Sequence, residues 1–259
     1  MTVQPLVIAL HGWLLSGRVW ERFAKIWRGA IPDAQLWCPD LPGFGSCPRP
    51  TTLRPTLTSY GDWLAAEAQT RAAGRPVVLM GHSLGASIAL HAVASLQRLG
   101  SVELLHGFVM ICAGGGIYQP RLFRRLRRAG ALALRLRPTG FGLSSLRFGG
   151  LNQLGFLLAE EDAARGLLTN STGVGAVRQL PLLVSRLSVP SLWISTEKDK
   201  VMESLYVRHL AAYSTDHDLV HLPGCGHLPM CEIPELLSEC VGCWLSNQSK
   251  TQNAARPCS

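Results

Sequence analysis

A serine lies between two glycines near the centre of VVLMGHSLGASIALHA, residues 77–92. A strand-like apolar run ends at this G-x-S-x-G pattern, and a helical pattern follows it directly. A strand-to-helix turn this sharp presents the Oγ of Ser83 at its apex and requires residues without side chains at Gly81 and Gly85. The first N–H groups of the helix and its positive dipole end would stabilise negative charge that develops beside the serine. The pattern therefore predicts a serine nucleophile.

A serine hydroxyl is a poor nucleophile at neutral pH, so this chemistry requires a base and an acid that orients the base. His227 is the favoured base because HLPGCGHLPM places it on a glycine-rich turn after a predicted strand. Five other histidines lie on predicted helices or strands without such a turn and are interpreted as structural: His91, His106, His209, His217 and His221.

The acid is predicted in VPSLWISTEKDKVM, where a strand leads into a polar turn that contains Glu197 and Asp199. Asp199 is favoured because Glu197 would lie too close to the end of the strand. Asp216 and Asp218 are weaker candidates, since they precede a strand instead of following one. The predicted catalytic residues therefore follow the chain order Ser83, Asp199, His227, which is the order typical of a nucleophile on such a turn.

The elements that must position these residues form an alternating pattern of short β-rich apolar runs and helices. This pattern is typical of an α/β fold with a mostly parallel sheet flanked by helices. The predicted strands are 6–10, 35–38, 77–80, 107–112, 191–195 and 218–222. The predicted helices are 19–27, 57–73, 86–96, 203–213 and 234–245. The acid and the histidine must reach the serine on loops that follow two of these strands.

Residues 114–188 interrupt the alternation, because they contain helical, arginine- and leucine-rich pieces and no convincing strand. Since the segment falls between two predicted strands, it is expected to form a helical cap over the edge where the carboxyl ends of the strands open. The predicted organisation is a core of residues 1–113 and 189–246, a cap of 114–188, and a flexible polar tail of 247–259.

The composition indicates a globular chain with one large core, since 47% of its 259 residues are hydrophobic. No window of ~18 apolar residues occurs, and the start lacks the features of a secretory signal, so a cytoplasmic protein is expected. The eight cysteines are interpreted as buried thiols. Cys240 and Cys243 have the spacing of a ligand pair, but no second pair accompanies them, so neither a metal nor another cofactor is expected.

Two further segments carry a resemblance to a known family, the α/β-hydrolase superfamily. IALHGWLLSGRVW is similar to its His-Gly turn after an early strand, and CPDLPGFGSC is similar to its Asp-x-Pro-Gly-x-Gly-x-Ser segment. Four motifs in the family order extend the resemblance over nearly the whole chain. It implies an α/β-hydrolase fold with an oxyanion hole made by the backbone N–H groups of Trp13 and Leu84, although His11 and Gly12 could also serve only as a structural turn. Because the nucleophile is serine and not aspartate, acyl transfer to water is favoured over dehalogenation or epoxide hydrolysis.

The excess of positive charge lies in one segment of the chain. The chain has 25 basic and 17 acidic residues, and eight arginines but no acidic residue occur between Leu104 and Ala159. On a helix, one face would carry Arg121, Arg124, Arg125, Arg128 and Arg135. The other face would carry Leu122, Leu126, Ala129, Ala133 and Leu136. We expect the arginine face to meet an anionic partner and the apolar face to cover an acyl pocket, although a purely solvated arginine face is the alternative.

Within the superfamily, the chain most resembles the biotin-pathway esterases that cleave pimeloyl-[acyl-carrier protein] methyl ester. The shared features are HGW with Trp13 in the oxyanion turn, DLPGFG, and a compact cap whose arginines in that family meet the acidic carrier protein. The resemblance implies a carrier-bound acyl ester as the substrate and acyl carrier protein as the partner. A monomer is expected, and nucleic acid is not, because the basic face lacks interleaved aromatic residues.

Two other functions remain open. A general short-chain carboxylesterase, or a lysophospholipase at a membrane surface, would place a basic amphipathic helix against anionic lipid. A non-catalytic α/β-hydrolase that serves as a binding module is the alternative from another class. The presence of Ser83, Asp199 and His227 argues against that module.

Overall fold

A parallel β-sheet lies at the centre of the computed structural model, which describes residues 4–31, 34–136, 155 and 158–254. Its strands follow the order β2-β1-β3-β4-β5-β6, and every neighbouring pair is parallel. The strands are β1 Leu6–Leu10, β2 Gln35–Trp37, β3 Val77–His82, β4 Leu105–Ile111, β5 Ser191–Thr196 and β6 His217–Leu222. The predicted α/β-hydrolase fold with a mostly parallel sheet is therefore confirmed.

Helices cover both faces of this sheet. Those of the described residues are α1 Glu21–Ala30, α2 Leu57–Ala72, α3 Leu84–Arg98, α4 Pro120–Arg135, α5 Glu161–Ser171, α6 Val174–Ser185, α7 Ser204–Ala211, α8 Pro229–Glu232 and α9 Pro234–Ala254. Each predicted strand and helix is present, and the ends differ by at most three residues except in α9, which was predicted to end at residue 245 and ends at Ala254. Helix α9 continues past the predicted core boundary at residue 246, and residues 255–259 lie outside the described part.

The central strand β1 is apolar throughout because both faces of the sheet are buried there, whereas the edge strand β6 is largely exposed. All five residues of β1 are buried, and their side chains alternate between two hydrophobic layers. Ile8 and Leu10 pack in the layer that includes residues of α2 and α3. Val7 and Ala9 pack on the opposite layer with residues of α1 and α9. This two-sided packing fixes the carboxyl ends of the strands, from which the loops of the candidate site begin.

Part of the segment predicted as a cap is anchored to the loops that follow β1 and β2. The N–H of Glu160 donates to the carbonyl of Gly43 at 2.7 Å, and its carboxylate pairs with Arg49. The indole Nε1 of Trp13 donates to the carbonyl of Ala164 in α5 at 2.8 Å. Residues 137–154 and 156–157 of this segment lie outside the described residues.

Helix α4 turns a different face inward from the predicted one. Gly130 and Leu134 are its buried residues, whereas Leu122 and Leu126 are 40% and 36% exposed. A Cβ on Gly130 would lie 2.7 Å from the ring of Trp13, so the missing side chain lets α4 pack closely there. The prediction that a face of Leu122, Leu126, Ala129, Ala133 and Leu136 covers an acyl pocket is therefore wrong, because a close contact at glycine sets the orientation of the helix.

Candidate active site

Ser83 occupies a strained turn between β3 and α3. Its φ of 52° and ψ of −119° lie in a region that residues with a side chain rarely adopt. A Cβ on Gly81 would lie 2.4 Å from the N of Ala86, and one on Gly85 would lie 2.4 Å from the carbonyl O of His11. Both glycines are thus required by backbone approach, as the sequence pattern indicated.

Two backbone segments border Ser83 where an oxyanion hole was predicted. Leu84 is the first residue of α3, so its N–H belongs to the donor groups at the start of that helix. On the other side, a Cβ on Gly12 would lie 3.3 Å from the Cβ of Ser83, and Trp13 follows directly. The turn after β1 and the start of α3 therefore flank the serine.

His11 holds the turn after β1 in place. Its Nε2 accepts the N–H of Leu41 at 2.9 Å, and its Nδ1 lies 2.9 Å from the carbonyl O of Gly12. Burial lowers the pKa of His11 to about 4, so the imidazole is neutral at physiological pH and can accept one hydrogen bond and donate the other. The imidazole thereby connects the Gly12 turn to the segment that contains DLPGFG.

Asp199 and His227 form a pair of side chains. The Nδ1 of His227 lies 2.7 Å from the Oδ2 of Asp199, whose side chain is fully buried while that of His227 is 20% exposed. The Oδ1 of Asp199 accepts the N–H groups of Val201 and Met202 at 2.7 and 2.8 Å. Burial alone would raise the pKa of Asp199, but His227 and these two N–H groups hold it below its usual value. The carboxylate is therefore ionised and fixes the orientation of the imidazole.

Two of the carboxylates considered as alternatives to Asp199 form hydrogen bonds with other groups. Glu197 accepts the N–H of Gly224 at 2.7 Å, and Asp218 accepts the indole N–H of Trp244 at 3.0 Å. Only Asp199 among the weighed carboxylates of the described residues contacts His227.

His82 connects the serine turn to the histidine loop. Its Nε2 lies 2.7 Å from the carbonyl O of His227, and the two imidazole rings lie 4.7 Å apart between centroids. Because the partner is a carbonyl, Nε2 carries the proton, and Nδ1 has no hydrogen-bond partner among the described residues. Burial and the neighbouring His227 lower the pKa of His82 to about 3. The ring therefore remains neutral at physiological pH.

The structure brings together Asp199 and His227, and through His82 it joins their loop to the residue before Ser83. Within the described residues, the hydroxyl of Ser83 forms no hydrogen bond with His227. Hydrogen bonds between a nucleophile and its base are often long before substrate binds and tighten in the Michaelis complex.

Cys112 was not predicted to belong to this site. It lies directly after β4 with a φ of 47°, and its Sγ is 3.5 Å from the Oγ1 of Thr196. Its Sγ, a carboxylate oxygen of Asp199 and a ring nitrogen of His227 all lie within 4.8 Å of one another. Burial raises the pKa of the Cys112 thiol, so it remains protonated next to the carboxylate. A cysteine at a strand end gives no sequence signal that separates this position from an ordinary buried thiol.

The five arginines predicted to form a docking face are all exposed on α4: Arg121, Arg124, Arg125, Arg128 and Arg135. All but Arg135 also line one shallow surface pocket. Arg127 instead turns toward α5 and donates to the carbonyl of Thr172 at 3.1 Å. Helix α4 thus presents an exposed basic surface next to the exposed Leu122 and Leu126.

Comparison with known proteins finds similarity over nearly the full length. A family model described as the alpha/beta hydrolase family matches residues 7–232. A pimeloyl-[acyl-carrier protein] methyl ester esterase of Xanthomonas axonopodis pv. citri is 30% identical, over 92% of this chain and 93% of the relative. A protein of the same name from Stenotrophomonas maltophilia is 27% identical, over 87% of this chain and 86% of the relative.

Solved structures share the fold. A thermophilic esterase from Thermogutta terrifontis superposes with a TM-score of 0.68 and 22% identity over 95% of this chain and 92% of that one. An esterase from Exiguobacterium antarcticum has a TM-score of 0.75 and 16% identity, over 95% and 93% of the two chains. A bromoperoxidase from Bacillus anthracis reaches a TM-score of 0.76 at 14% identity, over 95% and 93%. Since such neighbours bear different activities, the fold alone does not set the substrate.

Proposed function

Because the chain belongs to the alpha/beta hydrolase family, we propose that it is a serine carboxylesterase that hydrolyses the methyl ester of a pimeloyl group carried on acyl carrier protein. Its relatives of 26–30% identity named for this activity support the substrate class. The observation that carries the reaction type is the 2.7 Å contact between His227 and the buried Asp199. The loop that contains His227 also contacts His82, the residue directly before Ser83 in the strained turn.

In the proposed mechanism, the Oγ of Ser83 attacks the ester carbonyl while the Nε2 of His227 removes its proton. Asp199 stabilises the resulting imidazolium. The N–H groups of Trp13 and Leu84 bind the oxygen that becomes negative. His227 then returns the proton to the leaving methoxide, which departs as methanol. Water, deprotonated by His227, attacks the acyl-enzyme, and His227 passes this proton to the Oγ of Ser83 as the bond to the acyl group breaks. The carboxylic acid leaves and the free enzyme is restored, so one ester and one water give one acid and one alcohol.

The proposed domain organisation is consistent with this esterase mechanism. The cap within residues 114–188 would hold the acyl chain over the serine, and its α4 would bind the acidic carrier. Arginine suits this contact because its planar guanidinium pairs with carboxylate and phosphate through two hydrogen bonds. Among the described residues no helix is long and apolar enough to span a bilayer. We propose a cytoplasmic monomer that needs neither metal nor cofactor for the steps above.

The nucleophile is tested with Ser83→Ala. We expect hydrolysis of a p-nitrophenyl ester and of the carrier-bound methyl ester to fall to background, a loss of about 10⁶-fold in kcat. Labelling by a fluorophosphonate probe should also disappear. The thermal midpoint should remain near that of the wild type, because the change removes one partly exposed hydroxyl. Retained turnover in the folded variant would disprove the assignment.

The arginine surface is tested by changing Arg121, Arg125 and Arg128 together to Glu. We expect kcat/KM for the carrier-bound ester to fall by about 10-fold or more at low salt, because like charges then face each other, while a small free ester is hydrolysed as before. The matched control reverses three exposed basic residues near the other end of the chain, Arg18, Lys25 and Arg28, for the same change in net charge.

Equal losses in both triple variants, or equal losses on both esters, would contradict carrier docking at α4. Stimulation of the wild type by anionic vesicles, abolished by the α4 reversal, would favour the membrane-surface alternative instead.

A further inference from the structure

Glu232 lies outside the triad and contacts the loop that carries His227, residues 223–228. One carboxylate oxygen, Oε2, accepts the N–H of Gly226 at 2.8 Å. The other, Oε1, accepts the N–H of Leu228 at 3.1 Å. A single side chain thus holds the backbone amides on both sides of the histidine, one with each oxygen.

The carboxylate also lies close to the Cα of the glycine before the histidine. A Cβ on Gly226 would lie 3.2 Å from the Oε1 of Glu232, so a side chain there would require the carboxylate to shift by a few tenths of an ångström. Helix α8, Pro229–Glu232, follows this loop directly, and its last residue, Glu232, faces back toward residues 223–228. The pattern GHLPMCE therefore places the histidine and the carboxylate that holds its backbone within one short segment.

The carbonyl groups of the loop are bound as well. Thr196 Oγ1 donates to the carbonyl of Gly226 at 2.7 Å, and His82 donates to that of His227. These two donors fix the carbonyls, and Glu232 fixes the amides. The 2.7 Å contact between His227 and Asp199 joins two loops, so it depends on the backbone of His227 being held at the right place.

We propose that Glu232 is a positioning residue for His227: by binding the N–H groups of Gly226 and Leu228, its carboxylate holds the imidazole against Asp199 and at working distance from Ser83. The proposal rests on the proposed function only where turnover is measured. A charged acceptor strengthens both hydrogen bonds, and displacement of a base by about 1 Å can cost about 10²-fold in rate.

The experiment compares three variants. Glu232→Ala removes both acceptors, and Glu232→Gln keeps one oxygen and presents an NH₂ group to the other amide. Glu197→Ala is the matched control, because Glu197 is also an exposed carboxylate that accepts one N–H of this loop, from Gly224 at 2.7 Å, but does not flank His227.

We expect kcat for a p-nitrophenyl ester to fall by about 10- to 100-fold in Glu232→Ala, with KM changed by less than about two-fold. Glu232→Gln should lie between this variant and the wild type, and Glu197→Ala should stay within about three-fold of the wild type. A loss in Glu197→Ala as large as that in Glu232→Ala would overturn the proposal, since any disturbance of the loop would then suffice. Wild-type kcat in Glu232→Ala would overturn it as well.

A second readout does not depend on turnover. In the wild type, the proton between the Nδ1 of His227 and Asp199 should give a downfield ¹H resonance in ¹⁵N-histidine-labelled protein, identified by its loss in His227→Gln. We expect this resonance to be broadened or lost in folded Glu232→Ala and retained in Glu197→Ala. An unchanged resonance in Glu232→Ala would refute the positioning role. Absence of esterase activity in the wild type would instead refute the proposed function and leave this readout intact.

Discussion

At the scale of single residues, Asp199 uses its two carboxylate oxygens for different contacts. Oδ1 accepts two backbone N–H groups of the turn that follows, while Oδ2 faces the Nδ1 of His227. The first set of contacts fixes the carboxylate, and the second fixes the tautomer of the imidazole. Because Nδ1 then carries the proton, Nε2 is the nitrogen that can accept one from Ser83.

Asp199→Asn should separate these two tasks. An asparagine can keep its Oδ1 contacts with the N–H groups of Val201 and Met202, but its NH₂ group facing His227 favours the tautomer with the proton on Nε2. We therefore expect kcat for a p-nitrophenyl ester to fall by about 10³- to 10⁴-fold at neutral pH, with a nearly unchanged KM. Steady-state kinetics on the folded variant provide the measurement.

The control for this change is Glu197→Gln, which modifies the neighbouring carboxylate that was the alternative acid. It should retain activity within about three-fold, because Glu197 contacts Gly224 and not His227. If Glu197→Gln lost activity as severely as Asp199→Asn, or if Asp199→Asn were fully active, the assigned acid would be wrong.

The sequence was sufficient for some of these residues and not for others. Ser83 and His227 could be proposed as site residues because each lies in a local pattern of glycines after a strand. Cys112 and Glu232 could not, because their contacts join side chains to groups on other loops or to backbone amides, and neither contact leaves a periodic pattern. The link from His82 to the carbonyl of His227 spans 145 positions and was likewise outside local reasoning.

At the scale of elements, the turn between β3 and α3 packs closely against the end of β1. The helix starts so close to β1 that Gly85 has the carbonyl O of His11 where a Cβ would be. The backbone strain at Ser83 is maintained because the surrounding strands and helix are buried on all sides.

Gly85→Ala should therefore destabilise the protein by about 3 kcal/mol or more, because the new methyl group cannot avoid backbone atoms and must push α3 from β1. Gly29→Ala is the matched control, since Gly29 lies in α1 with no atom within 4 Å of the added Cβ. That change should be neutral or stabilising by up to about 1 kcal/mol. Urea unfolding of both variants is the measurement, and similar free energies of unfolding would show that the close contact carries no cost.

Secondary structure was easier to predict than the direction in which a helix faces. Strands such as β1 and β3 were recognisable because parallel strands buried on both sides are continuous apolar runs. The orientation of α4 was predicted from its leucines, but the contact that sets it is Gly130 against Trp13 and Leu168. A prediction of helix orientation from the positions of apolar side chains ignores glycine, so it cannot detect a helix that packs closely at a glycine.

At the scale of the whole molecule, three histidines are buried in the neutral form. Burial lowers the pKa of His11 and of His91 to about 4 and, with the neighbouring His227, that of His82 to about 3. In the unfolded chain each would return to about 6.5. The folded state thus binds fewer protons than the unfolded state between these limits, and the resulting stability is complete above pH 6.5 and is lost as the pH falls.

The free energy of unfolding should therefore decrease steeply between pH 6.5 and pH 4. Each neutral buried histidine contributes a slope of up to about 1.4 kcal/mol per pH unit once its unfolded form is protonated. Asp40 and Asp199, whose pKa values are lowered by hydrogen bonds that outweigh the effect of burial, add a loss of the same sign below about pH 4. Urea unfolding at about pH 7.5, 6.5, 5.5 and 4.5 measures how the free energy of unfolding depends on pH.

His91→Gln isolates one of the three contributions, because His91 lies on α3 against α2 and its Nε2 has no partner among the described residues. The variant has no group to protonate at this position in either state, so its slope below pH 6.5 should be smaller by about one proton, roughly a third of the histidine effect. A slope equal to that of the wild type would show that His91 is protonated in the folded state as readily as in the unfolded one. A free energy of unfolding that stays constant from pH 6.5 to 4.5 would contradict the neutral burial of all three.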